Sequence, residues 1–577
     1  MPAKYLGCLV VILFGQGAFL WCATTRLSPT VDEYPHLAAG VEYWNTGTTD
    51  LYRVNPPLTR LWATWPVALG GYRVPQTDFF VASGKTARHE FRRGPMFAEA
   101  YGERAFQALV LARRMCIPLV LLGTLGVFAL AVTATGNPQA ACLASVLWGF
   151  NPIVLGYGPL LGTDIPAACV GVWAVFAVTH AYQSSRLRDV VLAAIWVGLA
   201  IATKFTWLIL FPVAVVAIGM GVRRSALSEK LSTRRWLRPL GATCMFAFLV
   251  WAVVATAYRW QNLFIPLQDF EFTSQMLAGP IEGMSGNRWT GTLLGALPIP
   301  IPGTMLEGLD LQWQDFDTPR PAFLCGQWQR GGWYSYYAFV LLMKMPIGWL
   351  LLLAVAAKWS FRWNSLALAC WGVIGICFVF VSLKTNMNQH GRYIWLVLPE
   401  LAVVAVAGFN QWNRILRSLA WIAAGEVVLT SCLVFPFGLS FTNQLWGGPQ
   451  AASSLLADSN VDWGQGWVEV ARWSKLPNET HLPVAIVRPH WVNFAALGID
   501  TIEHSDLSDK QLSELATNST VLVLVSIDSR QMLQSNRTIP WMDVNPQVRI
   551  GCCVEGYEIS LSSLQTLDIF WLRKPPL

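Results

Sequence analysis

Two adjacent carboxylates, Asp32 and Glu33, follow the first long apolar run of the chain after only a few residues. A hydroxyl group is a poor nucleophile until it loses its proton, and a positioned carboxylate can accept that proton as a general base. The same pair could instead cap the next helix, since acidic side chains are favoured at a helix N-terminus. Asp32 and Glu33 are therefore predicted catalytic residues, with helix capping as the alternative.

A third carboxylate, Asp164, stands alone in the sequence. The chain from Met115 to Thr163 contains no charged residue, and Asp164 then appears between two apolar runs. A carboxylate near lipid is costly unless it faces a cavity or a partner. Asp164 is thus a second acidic candidate, although it could also cap a helix that has Pro166 in its first turn.

Three cations are candidates for contacting an anionic substrate group. Lys204 lies between two short apolar runs, Arg392 at the end of another, and Lys344 about two turns inside a predicted helix. Arginine binds phosphate with a bidentate fork and lysine binds it as a point charge. The alternative for Lys204 and Arg392 is an anchoring role at the membrane interface. His390, close to Arg392, is a further candidate, although a lone histidine is more often a structural residue that forms hydrogen bonds than a ligand.

The elements that must position these residues are membrane-spanning helices. Hydrophobic residues make up 54% of the 577 residues and charged residues only 13%, against roughly 25% charged in soluble domains. Runs of about 20 apolar residues are long enough to cross a bilayer. We expect about eleven spanning helices, and the two short ones beside Lys204 should be broken or tilted. The expected helices are 5–25, 115–134, 139–158, 165–183, 189–203, 206–222, 239–257, 336–357, 364–383, 393–410 and 418–437.

The distribution of positive charge predicts the orientation of the chain. The net charge is +7, and the densest basic cluster, residues 223–238, lies between two apolar runs. Short loops rich in Lys and Arg face the cytoplasm, so the N-terminus is predicted to be cytoplasmic and the C-terminus extracytoplasmic. Segments 26–114, 258–335 and 438–577 then lie on the outer face. This distribution also argues against nucleic-acid binding.

The tail differs in character from the rest of the chain. After residue 437 the apolar runs shorten to strand length, as in Val484–Val487, Val521–Val525 and Ile569–Leu572. We therefore predict an all-α membrane domain over 1–437 and a small extracytoplasmic α/β domain over 438–577. No nucleotide-binding or zinc-protease motif is present, and no Cys or His spacing is typical of a structural metal site.

Six motifs occur in the order seen in one family of membrane enzymes. They are Ser28-Pro-Thr-Val-Asp-Glu with Asn55-Pro-Pro, Thr163-Asp-Ile-Pro, Gly198-Leu-Ala-Ile-Ala-Thr-Lys, Trp333-Tyr-Ser-Tyr-Tyr with Lys344-Met-Pro, His390-Gly-Arg-Tyr, and Asp458-Ser-Asn-Val-Asp-Trp-Gly-Gln. Over roughly residues 5–475 the chain resembles glycosyltransferases of the GT-C type. In this pattern it is similar to dolichyl-phosphate-mannose protein mannosyltransferases and to bacterial transferases that add aminoarabinose to lipid A.

The resemblance implies a sugar transfer from a polyprenyl-phosphate donor with inversion at the anomeric carbon. Carried over to this sequence, it makes Asp32 the base with support from Glu33. Asp164 would help to position the acceptor or a divalent cation, Mg or Mn. Lys204 and Arg392 would face the lipid phosphate. The further substrate-binding candidates are Tyr34, Asn55, Lys344 and His390, although several relatives carry a charged residue where this chain has Asn55.

The acceptor is expected to be a glycan, a lipid or a protein. The segment 258–335 lacks the long repeat domain of eukaryotic protein mannosyltransferases, which weakens protein as the acceptor and favours a bacterial inner membrane. Two alternatives belong to other classes. A transporter or flippase for a lipid-linked glycan should show internal repeats and midplane charges, and no repeat is visible here. An inactive membrane scaffold is the other alternative.

Overall fold

The computed structural model describes most of the chain. The described residues are 2–76, 88–228, 237–279, 285–359, 365–384, 386, 388, 390–476, 482–487, 489, 492–503, 506–507, 520–536, 539–564 and 567–572. Part of the basic cluster 223–238 lies outside these ranges, including Lys230 and Arg234.

Helices dominate the architecture. The first half contains α1 Ala3–Ala23, α2 Glu33–Thr46, α3 Leu58–Leu69, α4 Glu90–Tyr101, α5 Glu103–Thr135, α6 Pro138–Gly149, α7 Pro152–Tyr157, α8 Asp164–Ser184, α9 Leu187–Thr203, α10 Leu210–Ser228 and α11 Leu237–Ala257. The second half contains α12 Gln275–Ala278, α13 Gly303–Asp317, α14 Tyr336–Lys344, α15 Ile347–Trp359, α16 Ser365–Lys384, α17 Leu398–Ala405, α18 Arg414–Val434, α19 Ala452–Leu455, α20 Trp467–Trp473 and a last helix, Ile527–Asn536.

Eight of the described helical segments are long and apolar enough to cross a membrane, or nine if a bent pair counts as one span. They are Ala3–Ala23, Glu103–Thr135, Asp164–Ser184, Phe205–Leu227, Leu237–Ala257, Leu366–Leu383, Gly391–Gln411 and Arg414–Val434. The chain is therefore an integral membrane protein, as the composition predicts. The number of spans stays a prediction, because length and composition alone select these helices.

Three of the eleven expected helices differ from simple spans, and their sequences explain why. The run 139–158 divides into α6 and α7, because Asn151 caps α7 through Ile153 N at 2.8 Å and Pro152 occupies its first turn. The helix α9 has only 17 residues and ends at Thr203, directly before Lys204. A turn of 3-10 helix, Phe205–Ile209, then joins it to α10.

The third difference corrects the predicted position of Lys344. The expected helix 336–357 is bent by 118° between α14 and α15, and Lys344 is the last residue of α14 rather than an interior one. Pro346 lacks an N–H and its ring opposes continuation of a helix. Asn443 satisfies the free carbonyl groups at the break, since its Nδ2 donates to Leu342 O at 2.7 Å and to Met345 O at 2.9 Å.

The segment after α1 folds into helices α2, α3 and α4, which pack on one another and on α5. Helix α2 buries Leu37, Ala38 and Val41 on one face, and α3 begins directly after Pro56-Pro57. Gly40 lies against α3, where an added Cβ would come within 2.3 Å of the Thr64 hydroxyl. These helices form their own apolar cluster with the first turns of α5.

The C-terminal region contains a six-stranded mixed sheet, as predicted for an α/β tail. Its strands are β5 Val484–Val487, β6 Thr501–Glu503, β7 Thr520–Ser526, β8 Val548–Ile550, β9 Val554–Ser560 and β10 Ile569–Leu572, in the order β6-β10-β5-β7-β9-β8. The pair β5–β7 is parallel and the other pairs are antiparallel. Two short ladders, β1 Ile265–Pro266 with β2 Pro298–Ile299 and β3 Pro321–Leu324 with β4 Gln327–Arg330, precede it.

The stretch between α18 and the sheet is bonded into the helical part. Ser28 of the first loop accepts from Trp467 N at 2.8 Å and donates to Gly464 O at 2.7 Å. Asn460 accepts from Gly391 N at 3.0 Å and donates to Tyr336 OH at 3.0 Å. Through these bonds the motif that begins at Asp458 connects the first loop, α14 and the start of the Gly391–Val397 turn.

Candidate functional site

The predicted site residues converge on one polar cavity. Its volume is about 650 Å³, and its lining comes from the first loop, α8, α9, α13, the Gly391–Val397 turn and the C-terminal region. Of the nine candidates, Asp32, Asn55, Asp164, Lys204, His390 and Arg392 line it, whereas Glu33, Tyr34 and Lys344 do not. A cavity of this size holds a small-molecule ligand.

Asp32 and Arg392 form an ion pair at the cavity wall. Arg392 Nη1 donates to Asp32 Oδ2 at 2.7 Å, and 13% of each side chain is exposed. Asp32 occupies the N-cap position of α2 but makes no capping hydrogen bond there. Its carboxylate is directed instead to a residue 360 positions away. The arrangement differs from the capping alternative and leaves the carboxylate accessible from the cavity.

The guanidinium of Arg392 is held but not fully used. It lies over the Trp463 ring at 4.3 Å from the ring centre, and Nε of Arg392 has no hydrogen-bond partner among the described residues. A stacked guanidinium loses little conformational entropy when it binds an anion. Arg392 therefore keeps a free donor within a cavity that it lines.

Asp164 and Lys204 form a second ion pair on the same cavity. Lys204 Nζ donates to Asp164 Oδ1 at 2.5 Å, with 3% and 9% of the side chains exposed. Asp164 is the first residue of α8, and Lys204 follows the last residue of α9. Lys204 also lies 5.2 Å from the centre of the Tyr393 ring. The helix ends that the sequence predicts thus bring two charges 40 positions apart into contact.

His390 contacts the motif that follows the last spanning helix. Its Nδ1 lies 3.2 Å from Asp458 Oδ1 and 3.2 Å from Ser459 Oγ. Burial raises the pKa of Asp458, but the charge and hydrogen bond of His390, the backbone N–H of Ser459 and the charge of Arg392 together bring it down to about 2. His390 is therefore anchored at the cavity wall by the Asp458 motif.

Two further carboxylates of the C-terminal region, Asp462 and Asp528, line the cavity. Burial raises the pKa of Asp462 to about 6, even though backbone N–H groups of Asp528 and Gly464 donate to it. Burial also raises the pKa of Asp528, and the negative charges of Asp458 and Asp462 raise it further. The cavity therefore has an acidic wall that the sequence candidates did not include.

Glu33 does not line the cavity, and both oxygens of its carboxylate accept hydrogen bonds. Arg113 donates to it twice, from Nε to Oε1 at 2.7 Å and from Nη2 to Oε2 at 2.5 Å. The backbone N–H groups of Thr30 and Leu161 each donate at 2.8 Å. Arg113 also donates to the carbonyl oxygens of Thr24, Leu27 and Ser28. This buried pair fixes the loop that presents Asp32, and it offers no free oxygen to a substrate.

Tyr34, Lys344 and Asn55 differ in their relation to the cavity. Tyr34 is 4% exposed within the apolar cluster of α2, α3 and α5. Lys344 is fully buried, and its Nζ donates to Leu439 O at 3.0 Å and to Asn460 O. Asn55 lines the cavity, and its Nδ2 donates to Tyr52 OH at 3.3 Å. Lys344 thus secures the segment after α18, while Asn55 supports the Tyr52 ring.

Sequence reasoning missed several charged residues of the lining. Arg88, Asp315 and Arg320 form a linked set, because Asp315 accepts from both arginines at 2.9 Å. They lie in the segments 26–114 and 258–335 without a distinctive motif, so only the fold brings them together. Asp458 and Asp462 belong to a motif that the sequence does reveal, and their spacing of four residues was the available signal.

No group of three or more His, Cys, Asp or Glu side chains is arranged to hold a metal ion in the part of the chain that the structure describes. The charged side chains that line the cavity offer acid–base and electrostatic chemistry. Asp32 can accept a proton, and Arg392 with Lys204 can bind an anion.

One family model matches the chain over residues 104–260, and its family is described as dolichyl-phosphate-mannose-protein mannosyltransferase. The predicted family resemblance is confirmed in this region. The region contains α5 to α11, and it carries Arg113, Asp164 and Lys204. Asp32 and Arg392 lie outside it. Among curated proteins, none matches this sequence.

Two solved structures of a bacterial protein are similar over almost the whole chain. One is ArnT from Cupriavidus metallidurans in the apo state, with 12% identity and a TM-score of 0.47, covering 97% of this chain and 99% of that one. The other is ArnT from the same organism bound to undecaprenyl phosphate, with 12% identity and a TM-score of 0.45, covering 96% and 99%. Both TM-scores lie below 0.5, so the family match carries more weight.

Proposed function

We propose that this protein is an inverting glycosyltransferase that moves a hexosyl or pentosyl unit from a polyprenyl-phosphate lipid to an acceptor hydroxyl at the outer face of the membrane. The observation that carries the proposal is the Asp32 carboxylate on the cavity wall, 2.7 Å from Arg392. The family match over residues 104–260 supports a lipid-linked sugar transferase.

Asp32 is the proposed base. It takes the proton of the acceptor hydroxyl while that oxygen attacks the anomeric carbon, and the bond from that carbon to the phosphate oxygen breaks. The electron pair leaves with the polyprenyl phosphate. Such a displacement inverts the anomeric carbon and needs one carboxylate base but no covalent sugar intermediate.

Arg392 and Lys204 are proposed to bind the phosphate of the lipid donor. Phosphate gains negative charge as it leaves, so fixed cations stabilise the transition state more than the ground state. Both cations already pair with a carboxylate in the cavity. These pairs hold the two cations in place on the cavity wall.

Location and domain organisation belong to the same proposal. The positive-inside rule supports a cytoplasmic N-terminus and an extracytoplasmic C-terminus. A membrane domain over 1–437 would carry Asp32, Asp164, Lys204 and Arg392, and an outer domain over 438–577 would close one side of the cavity. A bacterial inner membrane is the proposed location.

The test is a transfer assay with the purified full chain in detergent. Radiolabelled polyprenyl-phosphate monosaccharides are offered one at a time with membrane extract as acceptor. We expect wild type to move label from one donor, Asp32→Asn to move none, and Asp50→Asn to match wild type. Asp50 is an exposed aspartate of the same outer segment and does not line the cavity.

Wild-type turnover by Asp32→Asn would contradict the assignment of the base. If no donor is used by wild type while donor binding is retained in Asp32→Asn, a transporter or scaffold becomes the better assignment. Thermal unfolding of each variant separates loss of chemistry from loss of fold.

A further inference from the structure

One face of the helix Ile527–Asn536 lines the cavity. The residues concerned are Asp528, Gln531, Met532 and Ser535. Their spacing of three, four and seven residues places them on a single helical face. This face belongs to the C-terminal region, whereas Asp32, Lys204 and Arg392 are contributed by the helical part. The two sets of side chains thus line one cavity from different parts of the chain.

Gln531 is fixed in place with an unused acceptor. It is 4% exposed, and its Nε2 donates to Ser453 O at 2.7 Å and to Leu456 O at 3.0 Å. Its Oε1 is buried and has no hydrogen-bond partner among the described residues. Buried polar atoms are nearly always paired in folded proteins. An unpaired amide oxygen on a cavity lining therefore indicates that a ligand supplies the missing donor.

The carboxylates beside Gln531 also lack a cation. Asp462 accepts from the backbone N–H groups of Gly464 at 2.9 Å and of Asp528 at 3.0 Å and from the Ser526 hydroxyl, all of them neutral donors. The carboxyl group of Asp528 makes no hydrogen bond or ion pair within the described ranges, and its pKa is raised by burial and by its acidic neighbours. A ligand that donates hydrogen bonds would offset this unfavourable burial of charge.

From this wall we infer an acceptor subsite: Asp528 and Gln531 bind the sugar-like part of a neutral or cationic acceptor by its hydroxyl or amino groups. The unpaired groups on the wall are hydrogen-bond acceptors, so the ligand must supply donors. A phosphate or carboxylate on that part of the acceptor would be repelled by Asp462 and Asp528. The inference rests on the proposed transfer reaction, because only that reaction makes the bound molecule an acceptor.

The subsite is tested by binding to the full chain in detergent without any lipid donor. The probes are methyl glucoside, methyl glucosaminide and methyl glucoside 6-phosphate, titrated by saturation-transfer NMR. We expect wild type to bind the first two at least tenfold more tightly than the phosphate. In Asp528→Asn that preference should fall to about threefold or less, and Asp528→Lys should favour the phosphate. The matched control Asp543→Asn changes an exposed aspartate of the same region outside the cavity, and it should behave as wild type.

Two results would overturn the subsite. One is a wild-type protein that binds the phosphate as well as the neutral glycoside, or that binds none of the three. The other is an unchanged preference in both Asp528 variants. The donor transfer assay is read separately. Binding with the expected preference but without transfer supports a glycoside subsite and contradicts the transferase. Transfer without that preference supports the transferase and contradicts the subsite.

Discussion

The neighbouring residues Asp32 and Glu33 show how differently two buried charges can be used. Glu33 is 1% exposed and accepts from Arg113 and from two backbone N–H groups besides. Asp32 is 13% exposed on the cavity and its hydrogen bond to Arg392 spans 360 positions. Successive helical residues point about 100° apart, so one carboxylate faces the core and the other the cavity. Access to the cavity, rather than pairing, separates the structural Glu33–Arg113 pair from the Asp32–Arg392 pair that we propose to be functional.

The largest effect is expected from breaking the structural ion pair of Arg113 and Glu33. Arg113→Ala leaves the Glu33 carboxylate buried without its cation, and losing one partner of a buried pair costs about 3–5 kcal/mol. We expect a large drop in the unfolding temperature of the purified protein. Arg114→Ala is the control, since Arg114 stacks on Trp21 at 4.1 Å and is only partly buried. Equal unfolding temperatures of the two variants would contradict a structural role for the ion pair of Glu33 and Arg113.

Breaking the Asp32–Arg392 pair on the cavity wall should lower activity rather than stability. Arg392→Ala removes the proposed charge-assisted contact to the donor phosphate, an expected loss of about 1.5–3 kcal/mol, or about 10- to 100-fold in the KM for the lipid donor. Arg392→Lys should recover part of the loss. The measurement is the donor KM at saturating acceptor. An unchanged donor KM would mean that Arg392 only positions Asp32.

Lys344 is a buried cation bonded to backbone carbonyl groups, and its replacement shows whether it contributes to stability or to donor binding. Lys344→Met removes the donor to Leu439 O and Asn460 O, and two buried carbonyl groups without partners cost about 1–3 kcal/mol. We expect reduced stability to denaturant with an unchanged donor KM. A raised donor KM at native stability would instead place Lys344 with Arg392 as a substrate-binding residue.

Asn55 should give the smallest effect. Its hydrogen bond to Tyr52 OH is long, at 3.3 Å, and a neutral hydrogen bond contributes about 0.5–1.5 kcal/mol. Asn55→Ala should therefore lower kcat/KM by roughly tenfold or less. A loss comparable to that of Arg392→Ala would show a direct contact with substrate.

The sequence was most informative about the spanning helices and the motif order. Long uncharged runs have few alternatives to membrane spans, and strand-length runs in the tail predicted three of the six strands of the C-terminal sheet. It was less informative about helix continuity. The bend after Lys344 and the division at Asn151 depend on which carbonyl groups find partners elsewhere, as Asn443 shows.

By itself, the sequence determined which residue types stand at the helix ends, because a charge next to an apolar run is visible without a structure. Only the tertiary structure decided which charges meet. It paired Asp32 with Arg392 and Asp164 with Lys204, and it placed Glu33 against Arg113 in the core. It also brought Asp528 and Gln531 of the tail to the same cavity. Pairing and access depend on distances between segments far apart in the chain, and no local pattern encodes those distances.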